Sequence, residues 1–195
     1  MMPDLWQEVV AANPGKNIRE LVAIHEREAN ARPPRDGAVL ERAVSMASRA
    51  MYTLHLQRRR LRTDEPEDQE FIFRFWADLE FFLLTLWHLR SSALLAQRVT
   101  VTRDQLRAAT DLFDADLPDL RTMRNVIEHL EDYGMDLGRN AEISRRQLQV
   151  SAWDDTTLHW LGAELDVDHA LAVAARLYKA IRTARDTHAR DGSQS

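Results

Sequence analysis

The sequence predicts a mainly α protein: a helical bundle of about six helices with a small antiparallel β-hairpin near the C-terminus. Three observations carry that expectation. Apolar residues recur at helical spacing along most of the chain, one stretch from Gln69 to about Gln97 is apolar nearly all round, and alternation with period two is confined to about 147–167. The 195 residues are 45% hydrophobic and 29% charged, with 6 Gly and 6 Pro, as in an ordinary globular domain. A single domain over 1–190 is expected, followed by a disordered tail, 191–195. A chain this long buries roughly 70% of the surface its unfolded form exposes, so its core needs no metal or disulfide. It contains no cysteine, which excludes disulfides, zinc–thiolate sites, iron–sulfur clusters and thiol nucleophiles together.

Leu5 to Val10 predicts a short helix stopped by Asn13-Pro14-Gly15, and Ile18, Leu21, Val22 and Ile24 continue at helical spacing to about Ala31. After Pro33-Pro34, Asp36 is the expected cap of a long helix whose stripe is Val39, Leu40, Ala43, Val44, Ala47, Ala50, Met51 and Leu54. The acidic link Asp64-Glu65-Pro66-Glu67-Asp68 ends it near Arg62. The next helix carries Phe71, Phe75, Trp76, Leu79, Phe82, Leu83, Leu86 and Trp87, and its all-round apolar character places it at the centre of the bundle. Thr102 is the expected cap of the following helix, and Leu117-Pro118 starts another that runs to Leu137-Gly138. Between about 147 and 167, the alternation of Leu148, Val150 and Ala152, the turn Asp154-Asp155 and the β-prone run Thr157 to Leu161 predict the hairpin. Trp153 and Trp160 are expected across it. Asp168 caps the last helix, about 168–188.

Charge is uneven. Residues 1–100 carry 14 basic and 14 acidic side chains, whereas 101–195 carry 12 and 17. The global basic footprint of a nucleic-acid binder is therefore absent. The N-terminus has no basic segment followed by an apolar one, and no run reaches the roughly 20 apolar residues of a membrane span, so no membrane partner and a cytoplasmic location are expected.

The most suggestive string is Arg124-Asn125-Val126-Ile127-Glu128-His129. An arginine is always charged and suits a scissile phosphate; a histidine exchanges a proton near neutral pH. The string resembles the signature of HEPN domains, all-α bundles in which an Arg, usually followed by a polar Asn, Asp or His, precedes a His by four to six residues. Similar spacings occur at Arg19/His25, Arg49/His55 and Arg182/His188, but only Arg124 is followed by such a residue. The resemblance covers about 36–137. It implies a dimeric endoribonuclease that needs neither metal nor cofactor, a toxin or defence effector with an antitoxin partner. It assigns Arg124 to the phosphate, His129 to general acid/base work and Asn125 to positioning either, with an RNA substrate.

The bland reading of the same helix is an amphipathic one, with Arg121, Arg124, Asn125, Glu128, His129 and Asp132 on the polar side and Met123, Val126, Ile127, Leu130 and Leu137 opposite. Residues 104–136 carry three basic and nine acidic side chains, a field that repels RNA unless the fold brings other charge nearby. Arg121 and the dense cluster Arg58-Arg59-Arg60, with Arg62, are the candidate phosphate binders; the cluster equally suits a helix C-terminus pairing with the acidic link. Asp111, Asp114, Asp116 and Asp119 read as helix-start carboxylates and not as a cation site. His88 is expected as a hydrogen-bonded core histidine, and Tyr133 as a partner of His129. On a straight helix Arg124 and His129 point about 140° apart, so a bend or a second protomer is required to bring them to one phosphate, and a homodimer with this helix at or near its two-fold interface is expected. The alternative is a non-catalytic helical protein-interaction module.

Overall fold

A computed structural model describes residues 15, 17, 19–23, 35–63 and 73–192, and the chain divides into two units, Met1–Asp36 and Gly37–Ser195. In the first unit, Gly15 takes φ +85°, a left-handed turn at the expected stop. Asn17 and Glu20 then cap each other: the Glu20 N–H donates to Asn17 Oδ1 at 3.1 Å and the Asn17 N–H to Glu20 Oε2 at 2.9 Å. This reciprocal box opens the helical stretch 19–23. The short helix over Leu5–Val10, the Pro33-Pro34 stop and the acidic link at 64–68 lie outside the described residues.

The second unit runs α1 (Asp36–Leu61), α2 (Phe73–Ala96), a 3₁₀ turn Thr100–Thr102, α3 (Arg103–Asp116), α4 (Leu120–Glu128), α5 (Leu130–Gly134), β1 (Ser151–Trp153), β2 (Thr157–Trp160), β3 (Ala163–Asp166) and α6 (Val167–Gly192). It is mainly α, as the periodicity predicts. The predicted stripe of α1 is buried except for Val44, which is half-buried. α2 is the hub, packing against α3, α4 and α6. Phe82, Leu83, Leu86 and Leu89 are all but fully buried, each worth about 1.5–3 kcal/mol against exposure.

α2 is not enclosed, however. Phe81 is 57% exposed, and His88, expected in the core, is exposed as well; both line an open cavity of about 460 Å³ with Met46 and Arg49 of α1. An all-round apolar helix therefore meets neighbours on most of its circumference and leaves one strip open.

Two caps differ from the expectation. Thr102 stands before α3 but turns its hydroxyl back to the carbonyls of Ala96 and Val99, at 3.0 and 3.1 Å, so it ties the 3₁₀ turn to the end of α2. α6 is capped by Asp166, whose Oδ1 accepts the His169 N–H at 2.6 Å, and not by Asp168. α6 also runs on to Gly192, through the first two residues of the expected tail.

The expected hairpin is a three-stranded antiparallel sheet in the order β1-β2-β3, and Gln147–Gln149 is a 3₁₀ turn ahead of it. The missed strand follows Leu161-Gly162, at φ +58° and +75°, the two-residue turn that matches strand twist. Leucine is rare at positive φ, which hides this turn from a sequence reading. Trp153 pairs with Leu158, and Trp160 with Ser151 and Ala163, so the two indoles are not direct cross-strand partners. They share the inner face of the sheet with buried Leu158 and Leu165, and Trp153 meets Phe75 of α2 edge-on at 5.0 Å. On the outer face His159 lies 3.1 Å from Asp154 and 3.3 Å from Glu164, and its pKa is raised, chiefly by the hydrogen bond with Asp154.

Candidate functional site

The helix expected from Leu117 to Leu137 is broken at His129. α4 starts after a Leu117-Pro118-Asp119 turn and ends at Glu128; His129, at φ −129° and ψ 39°, caps it and α5 follows. The His129 N–H still reaches the Asn125 carbonyl at 3.1 Å, so α4 keeps its geometry to its last residue. Beyond the break the burial pattern changes. Leu130 and Leu137, expected on the apolar side, are 52% and 74% exposed, whereas Tyr133 is 3% exposed in a small cluster with Val126 and Ile143.

The cause lies in the loop that follows. The Tyr133 hydroxyl accepts the Asn140 N–H at 3.3 Å, and a Cβ on Gly138 would stand 2.2 Å from the Tyr133 ring. The loop thus closes over the ring at a point only glycine permits. Tyr133 is consequently a packing residue and not the hydrogen-bond partner of His129 that the spacing suggested.

Arg124 is held on three sides. Its Nη1 donates to Asn125 Oδ1 at 2.9 Å, its Nη2 pairs with Glu128 one turn on, and its guanidinium lies 5.0 Å from the centre of the Trp87 ring of α2. Its Nε–H is buried without an acceptor, and the indole beside it is the nearest compensation. Asn125 therefore fixes Arg124. No hydrogen bond or ion pair among the described residues joins Arg124 to His129. Half-buried His129 instead gathers with the exposed Glu131 and Asp132, their ligand atoms all within 4.8 Å of one another. Three such groups at the surface do not by themselves define a metal centre.

Trp87 was read from the sequence as one of many core apolar residues, yet it organises the site. Arg90, three residues on, lies 4.8 Å from the same ring and makes two 2.6 Å hydrogen bonds to Asp114 of α3. Beside it, Trp87, Arg90, Asp114, Leu117, Pro118, Leu120 and Arg121 line a cavity of about 200 Å³. Two arginines thus lie over one indole, and a third, Arg121, lines the cavity beside it. The only signal for this in the sequence is the Trp87-x-x-Arg90 spacing on one helix face.

The dense basic cluster behaves differently. Arg58 and Arg62 both pair with Asp168 in the first turn of α6, and Arg60 makes 2.9 and 3.0 Å hydrogen bonds to Asp78 of α2. Arg74 joins Asp78 at 3.2 Å and also donates to the carbonyls of Arg60 and Thr63. Arg59 alone of the three consecutive arginines points into solvent without such a partner among the described residues. Of the four aspartates set aside as a cation site, Asp114 holds Arg90 and Asp116 holds Arg176 of α6. No described helix is long and apolar enough to cross a membrane. Comparison of the chain with family models, curated proteins and solved structures returned no match.

Proposed function

We propose that this chain is a metal-independent endoribonuclease of the HEPN kind that acts as a homodimer. The observation that carries the reading is the placement of Arg90 and Arg124 over Trp87, with Arg121 lining the cavity beside it, which supplies arginine side chains and a stacking surface at the motif helix. Arg124 holds the scissile phosphate. Its resident partner Glu128 forms an i,i+4 pair whose side chains are partly exposed, of the class worth about 0.3–0.5 kcal/mol, so a phosphate can displace it while Asn125 and Trp87 keep the guanidinium in place. His129 removes the proton from a ribose 2′-hydroxyl; that oxygen bonds to phosphorus, the P–O5′ bond breaks, and the 5′-oxygen takes a proton. The products are a 2′,3′-cyclic phosphate and a free 5′-hydroxyl.

Arg124 lies against Trp87, whereas His129 stands past the end of α4 beside Glu131 and Asp132, so in this reading the histidine serving one arginine comes from the second protomer. Purified protein is expected to cleave single-stranded RNA in EDTA, and either Arg124→Ala or His129→Ala to abolish cleavage. Mixing those two inactive variants tests the arrangement. A shared site restores about a quarter of wild-type activity, because half the dimers are mixed and each mixed dimer has one intact site; a site within one chain restores none. Cleavage that EDTA removes would overturn the metal-free chemistry and point to His129, Glu131 and Asp132. As a toxin controlled by an antitoxin, the wild type should arrest growth on overexpression and His129→Ala should not.

The second reading, a non-catalytic interaction module, is favoured by exposed Phe81 beside the open cavity between α1 and α2. An inactive wild type that is monomeric by light scattering would select it.

A further inference from the structure

A third cavity, of about 260 Å³, lies between α2 and the sheet and shares no lining residue with the cavity beside the arginines. Trp76, Leu79, Glu80 and Leu83 line it from α2, and Leu148, Gln149, Ser151, Leu158 and Trp160 from the sheet side. Its chemistry is one-sided: two indoles, aliphatic side chains, two neutral polar groups and a single charge, the carboxyl of Glu80. Glu80 has no hydrogen bond or ion pair among the described residues. Although much of its side chain reaches solvent, desolvation pushes its pKa up. The carboxylate is thus poorly compensated where it stands.

The Trp160 indole N–H is already committed to the Leu148 carbonyl, at 3.3 Å. What Trp160 offers a guest is therefore its π surface and not a donor, which disfavours anions. Aromatic walls with one uncompensated carboxylate suit a cation that carries apolar surface, because the rings attract the charge while accepting the methyl groups. A hydrated metal ion would find one carboxylate and no further charged ligand.

We propose that this cavity binds a small organic ammonium ion, with Trp76 and Trp160 as its walls and Glu80 as the counter-charge. The volume is suited to a guest no larger than a quaternary ammonium with a short side chain, whose hydroxyl would face Gln149 or Ser151.

Choline is the probe, and 3,3-dimethylbutan-1-ol, which replaces the nitrogen by carbon, is its neutral isostere. Calorimetric titration of the full chain should give saturable choline binding at least about tenfold tighter than the alcohol. Glu80→Gln should bring choline down to the level of the alcohol, and choline affinity should weaken as pH falls and Glu80 protonates. Trp76→Leu, which keeps the carboxylate, should also cost at least about tenfold, so the test does not depend on one variant. Equal affinities for the two probes, unchanged choline binding in Glu80→Gln, or no saturable binding at millimolar choline would each overturn the assignment. None of these readings depends on RNA cleavage.

Discussion

Arg58, Arg59, Arg60 and Arg62 are adjacent in sequence and divide between two carboxylates and solvent, whereas Arg90, Arg121 and Arg124 are scattered over two helices and meet at one cavity, two of them over a single indole. In the first group, Asp168 takes two guanidiniums and Asp78 takes a third, with Arg74 added. The charge is spent in joining the end of α1 to α2 and α6. The second group also has two acids, Asp114 on Arg90 and Glu128 on Arg124, while Arg121 lines the cavity, so among the described residues each group leaves one arginine, Arg59 or Arg121, without a carboxylate. A dense basic run is therefore a poor guide to where a polyanion would bind. What matters is the charge left over after the fold has paired its own carboxylates.

The largest expected effect breaks the first group. Asp78 has a side chain only 6% exposed and holds two arginines, so Asp78→Ala leaves cations without their partner at a buried point. Chemical denaturation should show a loss of about 3 kcal/mol, the range for removing one side of a buried pair. Cleavage per folded molecule should stay unchanged, since no residue around Trp87 is touched. A loss below about 1 kcal/mol would mean that water reaches this network as freely as a surface pair.

Charge reversal separates the groups directly. Arg121→Glu should weaken binding of single-stranded RNA by about tenfold or more and flatten its salt dependence, because a phosphate contact is lost and a repulsion gained. Arg59→Glu, in the exposed part of the dense cluster, should change RNA affinity less than twofold. Equal losses at the two positions would mean that RNA follows the sequence-dense cluster after all. Arg121→Glu has a second readout in light scattering: if α4 lies at the dimer interface, the variant shifts toward monomer, whereas a merely solvated position changes stability by no more than about half a kcal/mol.

The same contrast explains what the sequence could and could not reveal. The stripe of α1 is legible because its eight positions follow one helical face with no competing partner, and α2 is legible as the hub through its sheer apolar content. The exposure of Phe81 and His88 is not, since periodicity cannot say which strip of an all-apolar helix is left uncovered. The break at His129 depends on Tyr133 meeting Gly138 and Asn140, a closure that local propensity does not encode. The third strand was lost to one leucine at positive φ. In the site, the pairing of Asn125 with Arg124 is a neighbour effect within reach of the motif, whereas the roles of Trp87 and Arg90 follow only from how α2 and α4 pack.

The smallest expected effect concerns the pair that closes α1 onto α6. Hydrogen bonding from Arg58, followed by the charges of Arg58 and Arg62, holds the Asp168 carboxyl below the usual aspartate range. A carboxyl whose folded pKa is depressed contributes stability that is complete above its unfolded value, about 3.9, and that disappears as pH falls through the folded value. The three side chains are 33%, 43% and 40% exposed for Arg58, Arg62 and Asp168, so solvent and salt screen them and the whole contribution should stay below about 1 kcal/mol. Wild type should therefore melt slightly above Asp168→Asn at neutral pH and low salt. The gap should close when the buffer is taken well below the aspartate value, and it should narrow in about 1 M salt, where the screening length falls to about 3 Å. A gap that survives both treatments would show that Asp168 acts through packing, and Arg58 and Arg62 would then have charge to spare for RNA.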